Sequence, residues 1–147
     1  MAAITTLSSP KGSLFALHGD GLATAGTETE YVLVPDWARW MIVYLNVTAA
    51  TGTIDLNINE VDPVALDDSY VVNLADWNGI TQLTGVSQVV IHVGPGITGI
   101  ADDDTGAATG DSVYKVNTML PPILQFVVIR GAGGGDTYTL NGVFKKG

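Results

Sequence analysis

Thr53-Ile54-Asp55-Leu56-Asn57-Ile58-Asn59-Glu60 decides the fold class. Its apolar residues Ile54, Leu56 and Ile58 alternate with polar Asp55, Asn57 and Asn59, the period of two of a strand with one wet face. Just upstream, Trp40 to Thr48 is almost continuously apolar and predicts a more fully buried strand. The link between them, Ala49-Ala50-Thr51-Gly52, has the length and chemistry of a hairpin loop. The same design recurs near the C-terminus. There Ile123–Arg130 is an apolar strand, Gly131–Asp136 a glycine-rich loop and Thr137–Phe144 an alternating partner, with Asn141-Gly142 expected to form a bulge.

Outward from these two units, strands are expected at Ser13–Leu17, Glu30–Val34, Ile80–Leu83, Gln88–Val93 and Val113–Met119. Pro35-Asp36-Trp37 suits one helical turn, and Pro121-Pro122 forces an extended entry into the strand that follows. No window carries an amphipathic helical stripe. About eight strands with closely spaced turn signals predict an all-β, antiparallel β-sandwich, with the jelly roll among its arrangements. Residues 1–12 are small, polar and nearly uncharged and read as an N-terminal arm; 13–147 read as one sandwich domain, with Glu60–Asn73 and Gly94–Asp111 as insertions.

A chain of 147 residues can bury roughly two-thirds of its unfolded surface, so it needs no staples, and it has no cysteine. The N-terminus lacks the basic and apolar regions of a secretory signal. The longest apolar run, Trp40–Leu45, falls far short of the ~20 residues of a membrane helix. Acids outnumber Lys plus Arg by 15 to 6, which opposes a nucleic-acid partner. No Lys or Arg lies between Trp40 and Tyr114, where ten acids fall; the cations are Lys11, Arg39, Lys115, Arg130, Lys145 and Lys146. That distribution fits either a solvated acidic surface or an acidic outer face with cations kept for a partner.

Catalytic patterns are weak. There is no Cys, and neither His18 nor His92 accompanies a Gly-x-Ser-x-Gly elbow; His92, opposite in phase to Ile91, reads as a strand histidine. Asp102-Asp103-Asp104 with Asp111 offers oxygen ligands but not EF-hand spacing, and reads as a solvated loop. Gly131–Gly135 is followed by Asp136 and a strand, without the Lys, Ser/Thr and helix of a phosphate loop. The expectation is therefore no enzyme, no metal and no cofactor. Trp40 opens an apolar strand and reads as core. Trp37 and Trp77, at turns beside Asp36 and Asp76, read as edge-of-core or oligomer contacts, with a sugar-stacking platform as the alternative.

Several of these segments come in an order that resembles the virion proteins of tailed bacteriophages. They are Val47-Thr48-Ala49-Ala50-Thr51-Gly52-Thr53 running into Ile54–Ile58, Trp77 in a loop, Ile80-Thr81-Gln82-Leu83-Thr84-Gly85, and finally Phe126–Arg130, Gly131–Gly135 and Thr137–Leu140. The likeness spans about two-thirds of the chain, and Gly94–Asp111 departs from it. The resemblance implies a head decoration (cement) protein, a homotrimer on the capsid surface that binds the major capsid protein. The contact residues implied are Lys11, Trp37, Arg39, Trp77, Lys145 and Lys146. A carbohydrate-binding β-sandwich module is the alternative, and a tail or fibre subunit a third, the fibre disfavoured by the lack of heptads and repeats.

Overall fold

A computed structural model describes residues 3–4, 14–22, 26–49, 52–77, 79–97, 112–131 and 136–146. The chain forms β1 (Leu14–Leu22), β2 (Gly26–Leu33), β3 (Trp40–Ala49), β4 (Thr53–Val61), β5 (Val71–Asn73), β6 (Ile80–Thr84), β7 (Ser87–Gly94), β8 (Ser112–Asn117), β9 (Ile123–Arg130) and β10 (Asp136–Lys145). One short 3-10 turn, Leu74–Asp76, follows β5. No helix among the described residues is long and apolar enough to cross a membrane.

Alternation builds the core. Met41, Val43, Leu45 and Val47 of β3 face inward, as do Ile54, Leu56 and Ile58 of β4 and Val89, Ile91 and Val93 of β7. Phe126 and Val128 of β9 join from the β4 sheet, and Tyr138, Leu140 and Phe144 of β10 from the β3 sheet, all in one buried cluster. Each such aliphatic or Phe side chain contributes about 1.5–3 kcal/mol of transfer free energy.

Two sheets enclose that cluster, one ordered β1-β10-β3-β7-β8 and the other β2-β9-β4-β5, with β6 also pairing β4. Four antiparallel ladders are nested one inside the next: β1·β10, β2·β9, β3·β7 and β4·β6. A long two-chain ribbon folded over on itself yields this order, which is that of a jelly roll. The expected all-β sandwich is therefore observed, with ten strands among the described residues where about eight were anticipated.

Five local expectations are corrected. Ala49–Gly52 and Gly131–Asp136 are not hairpin loops, because β3 and β4 lie in different sheets, as do β9 and β10; a short link can turn a sheet corner as readily as it closes a hairpin. Asn141-Gly142 makes no bulge: the pairing with β3 runs unbroken from Tyr138 to Lys145, and the register shift falls at Thr137/Tyr138. Strict antiparallel order fails at one edge, where β8 pairs β7 in parallel. Trp40 is not core; its phase points it outward, and its ring lies on Gly94 of β7. Pro35–Ala38 forms a single turn closed by the Ala38 amide donating to the Pro35 carbonyl at 2.9 Å, short of a helix.

Of the arm, Ala3 bridges Asp67 and the Ile4 amide donates to the Leu66 carbonyl at 2.7 Å. Lys11, the Asp102–Asp104 run and Gly133–Gly135 lie outside the described residues.

Candidate docking end

Every strand that ends or begins near Leu33, Trp40, Val61, Gly94, Asn117, Ile123 and Lys145 does so at the same end of the sandwich. Pairings Leu33↔Ile123 and Trp40↔Lys145, and the Val34 amide on the Pro122 carbonyl at 2.9 Å, hold that end together. Trp37 stands at the tip of the Pro35–Ala38 turn, 43% exposed. Arg39 donates its amide to the Lys145 carbonyl at 2.9 Å, so the turn is tied to the C-terminal strand. Trp37, Arg39, Lys145 and Lys146, four of the six residues singled out from the sequence, thus share one exposed corner. Beside them Ala38, Arg39, Pro95, Met119 and Leu120 line a groove of about 360 Å³, with Met119 77% exposed.

Next to it on the same end, across the link 119–122, the surface carries the other sign. Glu60, Tyr70, Val72, Pro121 and Pro122 line a groove of about 450 Å³ beneath the loop 62–70. Two carboxylates organise that loop. Asp62 Oδ1 accepts the amides of Val64 (2.8 Å) and Ala65 (3.1 Å), and Asp67 Oδ1 accepts that of Ser69 (2.8 Å). These bonds stabilise the ionised forms. The Ala65 amide, then that of Val64, holds Asp62 below the ordinary aspartate range, and the Ser69 amide does the same for Asp67. Leu66 sits at φ 47°, a left-handed backbone that costs a leucine free energy unless its surroundings impose it.

Trp77 is corrected. It is 1% exposed and packs against Tyr114 with ring centroids 5.9 Å apart, so it presents no face to a sugar or to a partner. His92 lies between Ile42 and Lys115 in the ladders, half-buried in the strand. Among the described residues no group of three or more His, Cys, Asp or Glu could hold a metal ion.

A second feature was missed in the sequence. Edge strand β2 turns Glu28 and Glu30 toward the interior, where a cleft of about 260 Å³ opens against Phe126, Val128, Tyr138 and Leu140. Arg130 Nε donates to Glu28 Oε1 at 2.9 Å, with the Arg130 side chain only 3% exposed. Burial, followed by the charge and hydrogen bond of Glu28, pushes the Tyr138 phenol well above its ordinary pKa. The signal was phase: Glu28 and Glu30 continue the inward register of Val32, and Arg130 that of Phe126 and Val128. Inward charges on an edge strand also block pairing with another sheet. Its charged pair ties β2 to β9.

On the outer face of the second sheet, Asn59 Nδ2 donates to Gln125 Oε1 (2.7 Å) and Gln125 Nε2 to the Tyr31 hydroxyl (2.9 Å). Asn59 Oδ1 has no partner in this row. No family model and no curated protein matches the chain.

Proposed function

We propose that this chain is a structural virion protein, a head decoration protein that binds the major capsid protein and stiffens the shell. One observation carries the reading: Trp37, Arg39, Lys145 and Lys146, all exposed, gather at one end of a jelly roll whose net charge is −9. An exposed tryptophan with an arginine beside it, as Trp37 and Arg39 are, has the composition enriched at protein-binding surfaces. A cement protein performs no chemistry. It buries surface across neighbouring shell subunits, and at about 25 cal/mol per Å² of apolar area that burial raises the cost of separating them. On this reading Trp37, Lys145 and Lys146 face the shell. The resemblance of Val47–Ile58 and Phe126–Leu140 to tailed-phage virion segments supports the same assignment.

The test is the particle itself. Protein mass spectrometry of gradient-purified virions from the phage that encodes the chain should find it, and a gold-labelled antibody should mark heads. Absence from particles, or label confined to tails, overturns the assignment. A glycan-array signal lost in Trp37→Ala would favour the carbohydrate-binding module instead.

A further inference from the structure

The two corners of the docking end are complementary. One offers a rigid loop with an apolar tip: Val64 is 90% exposed, whereas the valines of the sandwich interior are 0–7% exposed. Asp62 and Asp67 flank that tip, and both carboxylates are committed to the loop's own amides. Backbone bonds from Leu66 to the Asp62 carbonyl (3.1 Å), from Tyr70 to that of Asp67 (3.1 Å) and from Ile4 to that of Leu66 (2.7 Å) complete the frame. A loop so held loses little conformational entropy on docking. The other corner offers a receptor of the opposite charge: an apolar groove of about 360 Å³ whose one charged lining residue among the described residues is Arg39, tied to Lys145.

We propose that copies of this chain associate through these corners, with the loop 62–68 of one copy placing Val64 in the Met119–Leu120 groove of the next and exposed Asp68 against Arg39. A second copy is the occupant because charge and polarity match on both sides, and because knob and groove are borne by every copy. An interface between unlike patches repeats from copy to copy and closes into a ring when its rotation allows. The contact also covers Met119, the most exposed apolar side chain lining the groove among the described residues. It does not depend on the virion assignment, since a chain present in virions could still be monomeric in solution.

Light scattering on the eluting protein reads the result directly. The native chain should run at two or three times 15.3 kDa, falling toward the single-chain mass on dilution and in high salt. Val64→Asp and Arg39→Glu should each raise the dissociation constant at least about tenfold. Asp68→Lys should do the same while leaving the two loop-holding carboxylates in place, and Arg39→Glu combined with Asp68→Lys should recover assembly. These positions are exposed, so circular dichroism should show the sandwich intact in each variant. A native protein at 15.3 kDa at every concentration overturns the contact. So does a multimer that none of the substitutions shifts.

Discussion

At the scale of single residues, Tyr138 links the inner cleft to the stability of the whole chain. Its phenol is raised above the ordinary value of 10.0 by burial first and by Glu28 second. The unfolded phenol loses its proton near pH ~10, whereas the folded one keeps it. Tyr138 therefore contributes fully below that pH, and its contribution disappears as the pH rises above it. Urea unfolding followed through the alkaline range should show stability falling above pH ~10, and Tyr138→Phe should remove that limb of the curve. In a spectrophotometric comparison with Tyr138→Phe, the Tyr138 phenol should stay protonated until the fold opens; its ionisation in the folded state near pH ~10 would contradict this. Residue-scale roles were unevenly legible. Trp37 and Trp77 both flank an Asp at a turn, yet one is exposed and the other buried. Ala75 at φ 53° redirects the backbone just before Trp77, whose amide then closes on the Leu74 carbonyl at 2.9 Å. Neighbouring polarity does not encode such a turn. Glu28 and Arg130 were legible in principle, because each charge sits in the apolar phase of its own strand.

Elements were more legible than their partners. Alternation in Thr53–Glu60 and the apolar run Ile123–Arg130 located β4 and β9, since period two is a property of the strand alone. What a strand pairs with is a property of distant sequence, and both expected hairpins proved to be sheet-to-sheet corners for that reason. Three-residue β5 is too short to carry a period, and parallel β8 carries the same pattern as an antiparallel strand. The contact between β3 and β7 makes element packing testable. A Cβ on Gly94 would collide with the Trp40 ring, so this close approach requires glycine. Gly94→Ala should cost about 1–3 kcal/mol in urea unfolding and change the tryptophan emission as Trp40 leaves its seat. Combined with Trp40→Ala, most of that cost should vanish, because the collision no longer has a partner. Additive losses in the double variant would show that the ring is not what opposes the methyl group.

For the whole molecule, nesting sets the order of assembly. The innermost ladders close the shortest spans, Thr53↔Thr84 in β4·β6 and Val47↔Ser87 in β3·β7. The outermost, β1·β10, joins Leu14 to Val143 and so almost the two ends of the chain. Closing a long loop costs entropy that only completed contacts repay, so sheets dominated by distant pairings fold in milliseconds to seconds. The inner ladders are the ones a transition state can hold before the outer ones exist. Leu83 of β6 and Leu140 of β10 separate these roles cleanly: they are the same residue type, 0% and 1% exposed, at opposite depths of nesting. Each truncation to alanine should destabilise by about 2–5 kcal/mol. The kinetics should divide them, with Leu83→Ala slowing refolding and Leu140→Ala leaving refolding nearly unchanged while accelerating unfolding. Stopped-flow tryptophan fluorescence measures both arms. If Leu140→Ala slows refolding as much as Leu83→Ala does, β10 is already docked at the barrier, and the sandwich closes from its ends inward.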